Sequence, residues 1–173
     1  MLIRDRIKGA LASGKLFIPE RIAEWPGEPR AFFMCKPLYE SVLEGRNSSD
    51  AKERQSWAAL EAAMRHFVEG GYVTDDLIKQ LSPPKFEHWE LRSRKPRPSL
   101  RVFGRFAAPD IFIGTHVKPR KCLGGMGSPQ FEHEKLVCEE HWKDAGMPGP
   151  YTDRPNFRYE SYMTSNAQKK RRV

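Results

Sequence analysis

Three runs decide the fold: Phe86-Glu87-His88-Trp89-Glu90-Leu91-Arg92, Leu100-Arg101-Val102-Phe103-Gly104-Arg105-Phe106 and Asp110-Ile111-Phe112-Ile113-Gly114-Thr115-His116-Val117. Apolar and polar side chains alternate along them, which is the period of a strand with two unlike faces. Pro96 and Pro98 separate the first pair of runs, and Ala107-Ala108-Pro109 the second, so an antiparallel meander is expected over 86–92, 100–106 and 110–117. Strict alternation sends Trp89, Leu91, Leu100, Val102, Phe106, Ile111, Ile113, Thr115 and Val117 toward a helical layer. It sends Glu90, Arg92, Arg101, Phe103, Arg105, Phe112, His116 and Lys118 to the opposite face.

That opposite face carries the charge. Between positions 85 and 121 ten Lys or Arg stand against only Glu87, Glu90 and Asp110, which accounts for +7 of the formal +8. Lys169, Lys170, Arg171 and Arg172 add a second basic run, so the rest of the chain is mildly acidic. Clustered charge of one sign steers a polyanion far better than scattered charge. With Phe103 and Phe112 beside Arg92, Arg101, Arg105 and Lys118, the expected face suits single-stranded RNA: cations for phosphates, rings for unpaired bases.

Outward from the meander, Ala31-Phe32-Phe33-Met34-Cys35 reads as a short buried strand closed by Pro37. Asn47-Ser48-Ser49-Asp50 offers N-caps for a helix that places Trp57, Leu60, Met64, Phe67 and Val68 on one face and ends at Gly70-Gly71. Thr74-Asp75-Asp76 is expected to cap a second, short helix bearing Leu77, Ile78 and Leu81, stopped by Pro83-Pro84. A last helix is expected from Ser128 to about Lys143, with Pro129 in its first turn. The chain therefore reads as α+β: a helical hairpin packed on an antiparallel sheet in the order β-α-α-β-β-β, over 31–145. An N-terminal helical extension, 1–30, has Pro19, Pro26, Pro29 and Gly27 as breakers, and an irregular basic tail covers 146–173.

Cys35, Cys122 and Cys138 form no paired framework, which points to a reducing compartment and a cytoplasmic location. Charges interrupt the first eleven residues, so no secretory leader is expected, and no apolar run is long enough for a membrane span.

The order strand, helix, helix, meander, with Glu90-Leu91-Arg92 followed by Leu100-Arg101-Val102-Phe103, resembles the RelE/ParE superfamily of toxin–antitoxin toxins, in particular its HigB-like, phage-associated branch. The resemblance covers roughly residues 31–121. It implies a ribosome-dependent endoribonuclease that cleaves messenger RNA without a metal and is held inactive by an antitoxin protein. Arg92 matches the arginine of the "ELR" strand, and Arg101 that of the "R-V" strand. Lys118, Arg120 and Lys121 match the basic cluster after the last strand. The alternatives are a non-catalytic factor that binds nucleic acid or protein and a ParE-like toxin directed at gyrase.

Metal-free cleavage needs a base and an acid for the 2′-hydroxyl and the leaving oxygen, and cations for the developing charge. Arg101 and Arg92 suit the cationic role, because a guanidinium stays protonated. His116 and Glu90 are the proton-transfer candidates, Glu90 having an ordinary ion pair with a facing arginine as its blander reading. Arg105, Phe103, Phe112, Lys118, Arg120 and Lys121 form the expected RNA-binding set. Cys122, His133, Cys138 and His141 invite a zinc reading, but their spacing is irregular and free thiols are expected. No cofactor is implied: Gly124-Gly125-Met126-Gly127-Ser128 lacks the Lys-Ser/Thr ending of a phosphate loop.

Overall fold

The computed structural model describes residues 1–20, 28–152 and 155–172; Pro26 and Gly27 of the expected N-terminal connection lie outside them. The fold is α+β. Among the described residues four helices, α1 (Ile3–Ala12), α2 (Lys36–Arg46), α3 (Ala51–Val68) and α4 (Pro129–Asp144), accompany six strands. These are β1 (Leu16–Phe17), β2 (Ala31–Cys35), β3 (Ile78–Gln80), β4 (Trp89–Arg92), β5 (Leu100–Ala108) and β6 (Ile111–Pro119). They make one sheet in the order β1-β2-β6-β5-β4-β3.

The meander forms as its alternation predicts, β4, β5 and β6 pairing antiparallel. The sheet as a whole is mixed, however, because β2 joins β6 in parallel after the α2–α3 crossover. Between residues 31 and 119 the order is β-α-α-β-β-β-β, one strand more than expected, and of its two helices α3 was expected whereas α2 was not.

Two local expectations are corrected. Pro37 does not merely close β2; it sits in the first turn of α2, where its missing N–H has no partner to lose. Residues 74–81 do not form a helix. Leu77 N and Ile78 N both donate to Thr74 O in a turn, after which Ile78–Gln80 pair with β4, Ile78 opposite Leu91. Extending the sheet edge by a third antiparallel pair outweighs a single helical turn between a cap and Pro83-Pro84. The helical hairpin is therefore α2 with α3. Asp50 caps α3 by accepting from Lys52 N, and Ser128 caps α4 by accepting from Phe131 N, both as expected.

Both faces of the sheet are covered. α2 and α3 lie on one side over Phe32, Leu91, Val102, Phe106 and Phe112. On the other, Ile7 of α1 and Trp142 of α4 cluster with Phe33 and Ile113, while Phe103 clusters with Phe131 and Cys138 of α4. The two ends of the chain take part: Ile7 and Leu16 from the first twenty residues and Tyr159, Tyr162 and Met163 from the tail are buried.

The tail has one short 3₁₀ turn, Tyr159–Ser161, and is irregular otherwise, but it is not loose. Asp75 accepts from Tyr159 Oη, from Gln168 Nε2 at 2.5 Å and from Arg172 N at 2.8 Å. Glu87 accepts from Tyr162 Oη at 2.8 Å and from Tyr151 N at 2.6 Å. Arg171, in the basic run at the end, donates to Gln80 O and Ser82 Oγ and lies over Phe157.

A β-bulge resets the last strand. Phe103 faces His116, yet Gly104 faces Gly114, so Thr115 is the extra residue. A one-residue slip exchanges the faces. Val117 stays on the α2–α3 side, Phe112 joins it there, and Ile113 turns to the α1–α4 side. These last two are the reverse of strict alternation.

Candidate nucleic-acid interface

The register brings most of the expected site together. Arg92 pairs with Arg101 and Arg101 with Lys118, making one row across three strands; Glu90, Phe103 and His116 make the next. The shared face is real, but it is not open to solvent, because α4 roofs it. Phe103 and Phe112 are 0% exposed. Phe103 is stacked on His116 and meets Phe131, whereas Phe112 lies in the opposite core against Phe32 and Phe67. Neither ring can stack on a base. Arg105, 6% exposed, lies over the Trp142 ring at 5.0 Å, and burial lowers its pKa. It belongs to the packing of α4, and its place in the RNA-binding set is withdrawn.

At the other end of the same face the cations emerge. Glu90 is fully buried and accepts from Arg92 Nε at 2.7 Å; Arg92 also donates to Asp75 O at 3.0 Å. Glu90 thus has an ion pair, but with Arg92 two residues along its own strand and not with a facing arginine. Its Oε2 is 3.9 Å from Arg101 Nε, too far for a hydrogen bond, and neither atom has another such partner among the described residues. Arg101 donates to Ser93 O and Leu100 O through Nη1. Burial lowers its pKa to about 10, with Glu90 opposing and Arg92, Arg120 and Arg94 adding like charge. At neutral pH the guanidinium remains a cation, though a 7% exposed one.

Beyond β6 the chain turns through Arg120–Cys122. Arg120 Nη1 donates to Leu123 O at 2.6 Å, its guanidinium lying 5.9 Å from the Phe131 centroid. Arg97, Pro98, Ser99, Arg120, Lys121 and Leu123 line a cavity of about 650 Å³. No family model matches the chain, and neither does any curated protein or solved structure. The site is therefore assigned from its own chemistry. Arg97, Ser99 and Arg94 were missed by the sequence reading, which treated the stretch between β4 and β5 as a separator. Their signal was available: the basic run continues through Arg94, Lys95 and Arg97.

His116 is held in the roofed part. Its Nε2 is 2.8 Å from Glu134 Oε2, and the Thr115 hydroxyl lies 3.0 Å from both His116 Nδ1 and Phe103 O. Burial pushes His116 down to about 4, against the opposing hydrogen bond and charge of Glu134, so the imidazole is neutral at pH 7. Lys118 reaches the same carboxylate, Nζ to Oε1 3.7 Å, with its side chain 44% exposed. His116, His133, Glu134, His141 and Lys118 border a cavity of about 260 Å³. Among the described residues no three His, Cys, Asp or Glu are arranged to hold a metal. Cys138 is buried under α4 with its thiol pushed up to about 12, while Cys122 is exposed. Among the described residues no helix is long and apolar enough to cross a membrane.

Proposed function

We propose that this chain binds single-stranded RNA through the basic end of its sheet. The observation that carries the reading is the cavity bordered by Arg97, Arg120 and Lys121, beside the Arg92–Arg101–Lys118 row. Glu90, the carboxylate in the adjoining row, is already committed to Arg92. A surplus of cations around a concave site favours a phosphate backbone, whose condensed counterions are released on binding. Ser99 and the Pro98 and Leu123 surfaces give the site polar and apolar contacts besides charge.

The strand is held uncut in this reading. Both proton-transfer candidates are engaged and covered: Glu90 by Arg92, and His116 by Glu134 and Thr115 beneath α4. The ribosome-dependent endoribonuclease with an antitoxin partner is the second reading. It is favoured by the strand and helix order through 31–119 and by Arg92 standing beside Arg101.

Fluorescence anisotropy with a labelled single-stranded RNA, over a range of salt, tests the first. Binding that weakens steeply with salt and falls in Arg120→Ala and Lys121→Ala supports it. Absence of binding at low salt overturns it. Incubation with translating ribosomes, followed by mapping of transcript ends, separates the two readings: new ends that vanish in Arg101→Ala would establish cleavage.

A further inference from the structure

Pro98 and Lys121 border two cavities, not one. Beyond them lies a second, of about 500 Å³, between the α2–α3 corner and the ends of β5 and β6. There carboxylates outnumber cations. Glu44, Asp50 and Glu53 stand on the helical wall with Lys52 among them, Lys121 borders the side shared with the first cavity, and Trp57, Leu100 and Pro119 supply apolar surface. The Trp57 indole lies directly against the backbone of Gly45, where a Cβ would come within 2.2 Å of Cδ2, Cε2 and Nε1. Trp57 is 8% exposed, and among the described residues its Nε1–H has no hydrogen-bond partner. The carboxylates are not equivalent. Asp50 accepts from Lys52 N, and Glu53 accepts from Ser48 Oγ at 2.5 Å. Glu44 has neither an ion pair nor a side-chain hydrogen bond among the described residues.

We infer that this second cavity is a base subsite, and that the base it takes is guanine. The inference rests on the RNA-binding reading and adds specificity to it. Its apolar surface, from Pro98, Val117 and Pro119 with the edge of Trp57, can lie along the face of a base. A carboxylate accepts only, so it selects an edge with adjacent donors. Guanine presents N1–H and N2–H₂ side by side; adenine, cytosine and uracil each set an acceptor next to their donor. The two cavities together fix orientation: the phosphate is drawn to Arg97, Arg120 and Lys121 and repelled from Glu44, so the base points toward the α2–α3 corner. A basic peptide would satisfy the carboxylates but would be repelled by the adjoining cations.

Isothermal titration of the whole chain with GMP, AMP, CMP and UMP tests this. GMP is expected to bind about tenfold more tightly than the other three, the worth of one good two-point base contact. In Glu44→Gln, an exposed position, the four should converge while inorganic phosphate binds at least as tightly as to the unaltered chain, a repelling charge having been removed. Equal binding of the four by the unaltered chain, or a guanine preference that survives Glu44→Gln, overturns the base subsite. So does a chain that shifts RNA but binds no mononucleotide. Failure to bind RNA at all is a different result, because it removes the basic cavity as an RNA site and the subsite with it.

Discussion

Phe103 and His116 lie face to face across β5 and β6, centroids 5.0 Å apart and ring planes within 8° of parallel. The pair sits under α4, with Glu134 closing its far side through His116 Nε2. An imidazole so placed is held neutral, and this makes stability depend on pH.

His116 is pushed from 6.5 down to about 4 in the folded chain by burial. Above pH 6.5 neither state binds the proton, and the group contributes nothing to the pH dependence. Between 6.5 and about 4 the unfolded chain takes up a proton that the folded one refuses, so stability falls as pH falls, by up to about 3 kcal/mol, and then levels. Urea titrations at pH 7, 5.5 and 4.5 should show this decline, and His116→Gln should reduce it by about half, because His88, pushed down to about 3 by burial and by Arg105 and Lys135, adds a slope of the same sign over the same range.

Glu90→Ala should destabilise the fold by roughly 3 kcal/mol, because Arg101 and the half-buried Arg92 would lose the carboxylate that lies between them. Chemical denaturation measures the cost. A variant as stable as the parent would show that water already serves those guanidinium groups.

Arg120→Ala and Lys121→Ala should each weaken RNA binding evenly across sequences and each reduce the slope of log K against log salt by about one. Phe103→Ala, by contrast, should lower stability by about 3 kcal/mol through an emptied core site and leave the salt slope as it was. Anisotropy with thermal melts of the same samples separates the two behaviours.

Gly104→Ala should cost about 3 kcal/mol or block folding, since its Cβ would come within 2.3 Å of Ile113 O and 2.6 Å of the Phe112 ring. The backbone at the bulge cannot step aside without breaking the β5–β6 ladder. A melting temperature within a degree or two of the parent would contradict the bulged register.

Removal of residues 147–173 should abolish cooperative unfolding. Tyr159 and Tyr162 pack edge-on against Trp89, and Asp75 and Glu87 would keep buried carboxylates without their donors. A truncated chain with sharp, near-parental melting would show that the tail is dispensable.

Much of this architecture was legible in residue order. Alternation located β4, β5 and β6, and caps located the starts of α3 and α4, because strand period and helix capping are local properties. The same alternation put Arg92, Arg101 and Lys118 in one row. What it could not show was which face would stay open: amphipathic α4, far along the chain, docks over Phe103 and His116, and its contact depends on the whole sheet being in place. The bulge at Thr115 left no mark in composition, yet it moved Phe112 from one core to the other. Residues 74–81 carried helix caps but became an edge strand, since pairing with β4 is a long-range gain that no local propensity encodes. The order of residues determined that a basic row exists; packing decided that Arg101 is covered while Lys118 and the neighbouring Arg97 and Lys121 meet solvent, because burying the apolar rings beside the row released more free energy than leaving the face exposed.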